Sequence, residues 1–336
     1  MKKYSLMLIG VLITNLTIAQ KRVALNSNGA TTIYSGSQPY IDAYNDAVDG
    51  DTIYLPGGQL SAPNSINKKL HIYGAGLRSD SSSVTEKTQV GFLTLQAGAD
   101  GSHIEGIQFN GNVSFVGNTK IDSVVFRRNR VTGNFTIAGG NNDCQGIRIA
   151  ENVIEGTTNL ENTNQVEITN NILRFLRNVE NGYIANNIMI NTGNSTARML
   201  TSVNQSLIEN NYIANMYQAW RLIDNCSNNS FKNNVFNYDA TSDASNSWEN
   251  NFIPVQPIDI FVNYVWPFSE SANFNLIDPA SYQGTTGNEI GLYGGFYPAK
   301  QGFIPENPHY QFKNISSQTN TNGELEVEIT IEAQNE

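Results

Sequence analysis

The chain has 336 residues, a formal net charge of -10 at pH 7, and only 15% charged side chains. This acidic balance argues against nucleic acid and against an anionic membrane surface as partners. Free anionic polymers are also poor partners unless a local basic patch exists.

Residues 1–19 have the features of a signal peptide. Lys2 and Lys3 precede an apolar run from Leu6 to Ile13, and small residues at 17–19 fit a peptidase site. Without the two lysines the charge is 18 - 30 = -12. We expect a secreted or cell-surface protein, with the periplasm as the alternative, and no membrane span, because no later apolar run is long enough.

The next segments predict a cap and the first strands. Residues 40–48 place Ile41, Tyr44, Ala47 and Val48 at helical spacing. The glycine-bounded strand segments Gly50–Gly58 and Leu70–Gly76 follow this helix. A repeat protein exposes an apolar cross-section at its ends, so we expect the helix to cover the first turn.

A short phrase recurs eight times between Ile104 and Ile253, with an asparagine two residues before its last apolar position. Its members are Asn112, Asn129, Asn152, Asn171, Asn187, Asn211, Asn234 and Asn251. They recur on average about every 20 residues, which is typical of a solenoid. Asparagine tolerates left-handed backbone and its amide bonds neighbouring main chain, so we expect one stacked ladder of turn residues.

Alternating segments such as Ile147-Arg148-Ile149 predict short strands with an apolar inner face. A leucine-rich repeat shares this spacing and is the alternative solenoid. It fits less well, because Thr163 and Gly182 stand at its leucine positions and no segment between phrases is typical of a helix.

The repeat also places the two cysteines. Cys144 lies eight residues before Asn152, and Cys226 lies eight before Asn234. Both therefore occupy the same position in turns that are four rungs apart, or about 19 Å at strand spacing. Since a disulfide needs Cα atoms within about 7 Å, we expect two free, buried thiols.

Two segments follow the repeats. The Pro- and aromatic-rich stretch Pro254–Phe274 is expected to cover part of the far end of the stack. Residues 324–332 alternate strictly between polar and apolar side chains, and the polar ones are acidic except for Thr330, which predicts one strand with an acidic and an apolar face. This strand either folds back on its own domain or is offered to a partner protein.

The helix, the Gly-Asp-Thr-Ile strand at 50–53, the segment Gly101–Ile107, the asparagine phrases and the closing segment Glu289–Gly295 together resemble the pectate-lyase-like superfamily. The resemblance covers roughly residues 22–295 and implies an all-β fold, a right-handed parallel β-helix with an N-terminal capping helix. It predicts a signal peptide at 1–19, a β-helix domain at 22–295 and a C-terminal tail with one strand at 296–336. The fold does not determine activity, because it hosts lyases, hydrolases, epimerases and noncatalytic surface proteins.

The hydrolase motifs of that superfamily are missing. Asn191-Thr192-Gly193 is not followed by aspartate, and there is no Gly-His-Gly segment. The outward columns also lack the clustered carboxylates that calcium requires, so we expect no metal and no cofactor.

Charged residues nevertheless align on the outside. Reading the phrases in register gives one outward column through Gln108, Val125, Arg148, Glu167 and Tyr183, and a second through Glu155 and Arg174. We expect the pairs Arg148 with Glu167 and Glu155 with Arg174 on adjacent turns.

The sharper interpretation joins these charges to further arginines as a basic patch for an anionic sugar, with exposed Phe175 and Tyr183 stacking on sugar rings. The additional arginines are Arg127, Arg128, Arg130 and Arg177. The candidate substrate-binding residues are Arg148, Glu155, Glu167, Arg174, Arg177 and Tyr183.

Three functions stay open at this point. The first is an exported noncatalytic protein that contacts a polysaccharide or a protein partner. The second is a polysaccharide lyase acting on an acidic polysaccharide through a base that no motif identifies. The third is a structural module such as an adhesin or spike component.

Overall fold

A computed structural model describes residues 21–78, 86–117, 119–137, 143–161, 163–193, 197–217, 222–240, 244–306 and 309–332. The expected signal peptide lies outside these residues. The described chain forms a parallel β-solenoid, as expected. No helix in the described ranges has the length and apolarity needed to cross a membrane.

One face of the solenoid is a 12-stranded sheet, the first sheet. Its first two strands pair antiparallel with each other, the next strand pairs antiparallel with Arg22–Ser27, and the rest stack in parallel. In chain order its strands are Arg22–Ser27, Ala30–Ser35, Thr52–Tyr54, His71–Tyr73, His103–Glu105, Val125–Arg127, Arg148–Ala150, Glu167–Thr169, Tyr183–Ala185, Leu207–Glu209, Ser230–Lys232 and Ser247–Glu249.

The other two faces belong to a 16-stranded second sheet. Two long strands, Val153–Leu160 and Ile172–Glu180, run through the corner that joins these faces, and a register shift after Ile154 marks the bend. The other strands are Gly58–Leu60, Thr88–Val90, Leu93–Leu95, Ile107–Phe109, Val113–Phe115, Arg130–Val131, Phe135–Ile137, Cys144–Gln145, Thr163–Asn164, Ile188–Asn191, Leu200–Asn204, Tyr212–Asn215, Ile223–Asp224 and Val235–Phe236.

The core is a set of stacked columns. The middle residue of each parallel strand in the first sheet points inward, and consecutive rungs pair these residues directly. The column ends at the partly buried Trp248, and the members before it are each at most 1% exposed: Ile53, Ile72, Ile104, Phe126, Ile149, Ile168, Ile184, Ile208 and Phe231. β-Branched and aromatic side chains suit such positions because they pack well against neighbours on a pleated surface.

The expected capping helix is present at Pro39–Asp46. It contacts the first two strands and buries its own Tyr40 and Ala43 side chains. Proline in its first turn suits a helix start, because the missing N–H has no intrahelical partner there.

The stretch Pro254–Phe274 contacts the last rung of the second sheet at its start, where Val255 N donates to Phe236 O at 2.9 Å and Gln256 Nε2 donates to Asn237 O at 3.1 Å. It runs back along the outside of the second sheet: the hydroxyl of Tyr212 donates to Val255 O at 3.0 Å, and Glu270 accepts from Lys87 at 3.0 Å. A second apolar cluster forms there between outward Ile188 and Tyr212 and the covering Phe261 and Phe274. The covering stretch contains the helix Pro257–Ile260 and the strand Phe261–Asn263. The strand Asn273–Leu276 and the 3-10 turns Pro279–Ser281 and Gln301–Phe303 follow further along the chain.

The tail has one more strand than expected. The predicted acidic strand is present as Leu325–Glu332, and it pairs antiparallel with His309–Thr319 in a separate two-stranded sheet. The polar residues 309–319 lack the strict alternation that identified their partner, so sequence reasoning missed this strand.

The asparagine ladder is confirmed from Asn129 onward. The Oδ1 atom of Asn187 accepts from Asn171 N at 2.9 Å, and its own N–H donates to Asn211 Oδ1 at 2.8 Å. The Nδ2 atom of Asn187 also lies 2.8 Å from Ile168 O and 3.0 Å from Ala185 O. Each buried amide thus satisfies main-chain groups on its own rung and on its neighbours.

Two details of the ladder differ from the expectation. Asn112 belongs to another corner, where its Oδ1 accepts from Asn134 N at 2.9 Å, and Ile107 holds the ladder position of its rung. The left-handed residue is also the one before each ladder asparagine. These residues are Arg128, Glu151, Asn170, Asn186, Asn210, Asn233 and Asn250, with φ from 51° to 58°.

The cysteine prediction is confirmed. Register places Cys144, Thr163, Val179, Val203 and Cys226 in one column, so the cysteines lie four rungs apart. Both are free and buried. Burial raises the pKa of the Cys144 thiol.

The ladder predicts a position-dependent cost. Asn187→Ala removes a fully buried amide and leaves main-chain partners on neighbouring rungs unpaired, which costs about 1–3 kcal/mol for each buried group left unsatisfied. Asn251→Ala is the matched control at the end of the ladder, and it should cost less because Asn251 is only partly buried and its Nδ2 donates to Phe231 O, whereas Asn187 Nδ2 donates to Ile168 O, Ala185 O and Asn211 Oδ1. Urea unfolding measures both, and equal losses would contradict the ladder's role.

The thiols provide a second measurement. A thiol reagent should modify neither cysteine in the native protein and both in denaturant, because both side chains are buried. The variants Cys144→Ser and Cys226→Ser should each leave one reactive thiol in denaturant. Rapid modification of the native protein, or an oxidised pair, would contradict the predicted register.

Candidate functional site

A cleft of about 1100 Å³ lies on the outside of the first sheet. Its floor comes from strands Val125–Arg127, Arg148–Ala150, Glu167–Thr169 and Tyr183–Ala185. Its opposite wall is formed by residues within 296–306, which we call the strap. The cleft is larger than a second concave surface of about 310 Å³ that Asp143 and Glu161 help to line, and ligand sites are typically concave.

The strap is fastened to the solenoid through its backbone. Lys300 N donates to Glu151 Oε2 at 3.2 Å, and Glu306 N donates to Glu105 Oε1 at 3.0 Å. The Glu306 side chain also accepts from Arg127 Nη1 at 2.6 Å. Buried carboxylates from two rungs therefore hold two points of one wall.

Arg128 positions these two carboxylates. Its side chain is fully buried, with Nη1 at 3.1 Å from Glu105 Oε1 and Nε at 3.0 Å from Glu151 Oε2. A buried charge is tolerated only when it is paired and hydrogen-bonded, and removing one partner of a buried pair typically costs about 3–5 kcal/mol. Arg128 thus links two rungs of the floor to the strap.

Glu105 is held as a carboxylate by this surrounding. Burial alone would raise its pKa, but the hydrogen bond from His103 and the charge of Arg128 prevail, and the pKa lies below the ordinary value. The His103 Nε2 atom lies 3.0 Å from Glu105 Oε2. The backbone N–H of Glu306 adds a further stabilising contact to the same carboxylate.

The predicted outward column is confirmed in its main part. Val125, Arg148, Glu167, Tyr183 and Leu207 are direct register partners on successive rungs. Arg148 Nε lies 3.3 Å from Glu167 Oε1, so this expected ion pair is present. The first member was wrong: Val125 pairs with His103, because Gln108 lies in the second sheet opposite Arg130.

The second expected pair does not form. Glu155 accepts from Arg130 Nε at 2.7 Å, whereas Arg174 Nε donates to Asn191 Oδ1 at 3.3 Å. The register shift between Ile154 and Thr157 moves Glu155 out of line with Arg174. Neither residue lines the cleft.

The expected basic patch is also wrong. The arginines are distributed over different faces and are mostly matched by carboxylates, with Arg127 and Arg128 on Glu151 and Arg130 on Glu155. Arg177 lies on the second sheet opposite Asn159, away from the cleft. Phe175, expected to be exposed, is 4% exposed and lies beneath the guanidinium groups of Arg174 and Arg177.

The structure therefore gathers Arg148, Glu167 and Tyr183 from the sequence-predicted set into the cleft. Tyr183 is 38% exposed, and its hydroxyl donates to Glu209 Oε1 at 2.9 Å. Burial, followed by this contact with Glu209, raises the pKa of Tyr183. The phenol is therefore held protonated and is not prepared to act as a base at neutral pH.

Sequence reasoning missed the aromatic wall. Phe296 and Tyr297 line the cleft from the strap and are each 80% exposed, the highest exposure among the large apolar side chains described. They carry no repeat signal. Arg128 and Glu151 can be recognised from the sequence. Each directly precedes a ladder asparagine, a position that asparagine occupies in five of the seven turns.

One residue that lines the cleft has a buried amide oxygen without a partner among the described residues. Asn186 lines the cleft and is 6% exposed, and its Oδ1 atom has no hydrogen-bond partner among the described residues. Formal charges in the lining balance, with Arg127, Arg148 and Lys300 against Glu151, Glu167 and Glu306. This distribution offers stacking surface and hydrogen bonds without a net charge.

No group of three or more His, Cys, Asp or Glu side chains in the described ranges is placed to hold a metal. No protein-family model, curated protein or solved structure matches the chain. The function must therefore be argued from the site alone.

The buried network predicts an acid-sensitive contribution to stability. A carboxylate with a depressed folded pKa stabilises the fold above its unfolded pKa of about 4.3, and this stabilisation is lost as pH falls through the folded value. Glu105→Gln should therefore lower the urea midpoint at neutral pH and flatten its decline in acid. Glu167→Gln, at a 40% exposed position, is the matched control. Parallel pH curves for wild type and Glu105→Gln would contradict the assignment.

Proposed function

We propose that this is an exported, noncatalytic protein that binds a glycan in the cleft beneath the strap. The observation that carries the proposal is the juxtaposition of exposed Phe296 and Tyr297 with the polar row Arg148, Glu167 and Tyr183 in one groove. Two adjacent exposed aromatic rings in a groove favour a ligand that can cover them, and a sugar presents both an apolar face and hydroxyls.

The polar lining suits hydroxyl groups. A hydroxyl both donates and accepts, so it can bond to both the donors and the acceptors that line the cleft. The partly exposed Arg148 and Glu167 provide one donor and one acceptor on adjacent rungs. Apolar walls with a few placed polar groups are the usual composition of a ligand site.

The charge balance favours a neutral glycan over a uronate. Arg127 is bound to Glu151 and Glu306, and Arg148 is bound to Glu167. A uronate carboxylate would have to displace one of these carboxylates and would meet the acidic surface of a chain with net charge -10. We therefore revise the expected ligand from an anionic to a neutral sugar polymer.

The lyase alternative receives less support. A lyase must remove a proton beside a uronate carboxylate, so it needs a base in the site. The Tyr183 hydroxyl has a raised pKa and donates to Glu209, and the arginines in the cleft are paired with carboxylates. Export rests on the predicted signal peptide at 1–19, and N-terminal sequencing of the mature protein would test it.

The aromatic wall gives a direct test of glycan binding. Affinity electrophoresis with neutral polymers (xylan, mannan, β-glucan) and with uronate polymers (polygalacturonate, alginate) should show retention by at least one neutral polymer. Tyr297→Ala should weaken that affinity at least about tenfold, because aromatic anchors dominate binding energies. Tyr238→Ala is the matched control, since Tyr238 is 46% exposed and does not line the cleft.

Three outcomes would contradict the proposal. Retention only by uronate polymers would restore the anionic ligand. Release of unsaturated uronate products would establish a lyase. Equal losses for Tyr297→Ala and Tyr238→Ala would mean that the cleft is not the binding surface.

A further inference from the structure

The C-terminal hairpin exposes a continuous apolar face. Leu325, Val327, Ile329 and Ile331 alternate along one strand and are 46–59% exposed, and Ile315 lies directly opposite Val327 at 46% exposure. An isolated two-stranded sheet is marginally stable in water, and three or more strands are usually needed. The hairpin thus leaves apolar surface that an additional strand would help to cover.

The outer edge of Leu325–Glu332 is available for that additional strand. The hairpin forms its own sheet of two strands, so within the described residues the second edge of each strand pairs with nothing. The two edges differ in regularity. In His309–Thr319 the register shifts at two places, whereas the eight residues of Leu325–Glu332 alternate without interruption. A long, regular edge is a template for an extended chain, whereas bulges discourage pairing.

Charge decides what the edge accepts. Glu326 and Glu328 alternate with the apolar residues and so lie on the opposite face, and no ion pair among the described residues involves either. Lys313 cannot neutralise Glu328, because it pairs with Ile329 and therefore lies on the apolar face. Directly opposite like charges destabilise strand pairs, and opposite charges stabilise them.

A second copy of the same edge fits poorly for this reason. If two copies pair antiparallel with their apolar residues on one face, their polar residues must share the other face. Glu326 and Glu328 of one copy then lie opposite Glu326, Glu328 or another polar-face residue of the second copy. A parallel, in-register pairing stacks each carboxylate on its copy. The self-pairing of an already acidic chain is therefore disfavoured at neutral pH.

We propose that the edge strand Leu325–Glu332 binds a partner protein by strand addition, and that the partner segment is extended and alternates basic with apolar residues. Main-chain hydrogen bonds to the free edge supply affinity, as in other strand-addition complexes. The partner's apolar side chains extend the surface of Val327 and Ile329, and its basic side chains lie beside Glu326 and Glu328. This proposal does not depend on glycan binding in the cleft.

Three capped nine-residue peptides test the partner's chemistry against the full chain by fluorescence anisotropy. The first peptide alternates lysine and valine, and the second alternates glutamate and valine. The third has the composition of the first, with all its lysines in one block and all its valines in another. The alternating basic peptide should bind at least about tenfold more tightly than either other peptide, since two cross-strand charge pairs and the face pattern both favour it.

Charge reversal provides the decisive variant. The double variant Glu326→Lys/Glu328→Lys should lose the basic peptide and gain the acidic one. Asp143→Lys/Glu161→Lys is the matched control, because both carboxylates are exposed on the solenoid at another concave surface. If the Glu326→Lys/Glu328→Lys variant does not fold, hydrogen exchange on the wild-type chain replaces it as the test. The alternating basic peptide should then protect alternate backbone amides within 325–332.

Several results would overturn the proposal. They are equal binding of the alternating and blocked basic peptides, equal losses in the two double variants, protection outside 325–332, and a dimer of the unliganded chain in sedimentation whose interface maps to the hairpin.

Discussion

The structure depends on the buried asparagine amide at one corner of the solenoid. A parallel stack must turn its chain at every corner, and each turn removes main-chain groups from water without pairing them within a strand. The Asn187 amide bonds main-chain oxygens of the preceding rung and of its own rung, and it is linked to Asn171 and Asn211 on either side. Because such bonds are directional, they hold adjacent rungs in register as well as satisfying the turn.

Register at this corner determines the outward face of the first sheet. With each ladder asparagine aligned, Arg148, Glu167 and Tyr183 must lie on successive rungs of one column. The residue before the asparagine has a left-handed backbone, a conformation that asparagine adopts more readily than most residues. Arg128 and Glu151 occupy this unfavourable position, and the buried ion cluster offsets the cost by joining the rungs to the strap.

The repeat explains how much of the fold and site could be predicted from sequence. A regular phrase predicts register, so the cysteine column and the row from Val125 to Leu207 followed from counting. Register predictions were wrong where a rung departs from the repeat. Gly106 and Ile107 replace the left-handed residue and the ladder asparagine of their rung. The bulge after Ile154 separates Glu155 from Arg174. The strap could not be placed because its contacts join Glu105 and Glu151 to residues more than 140 positions later, where no repeat continues.

The same ion cluster argues for where ligand specificity resides in the cleft. Glu151 binds Arg127, Arg128 and the strap at once. A ligand could bind these charged groups only by breaking contacts that hold the strap on the solenoid. For the proposed glycan, recognition then falls to groups that have little structural role: the exposed rings of Phe296 and Tyr297 and the partly exposed pair Arg148 and Glu167. In the proposed function, this division separates the residues that stabilise the cleft from those that would contact the glycan, which come from both the strap and the outward column of the solenoid.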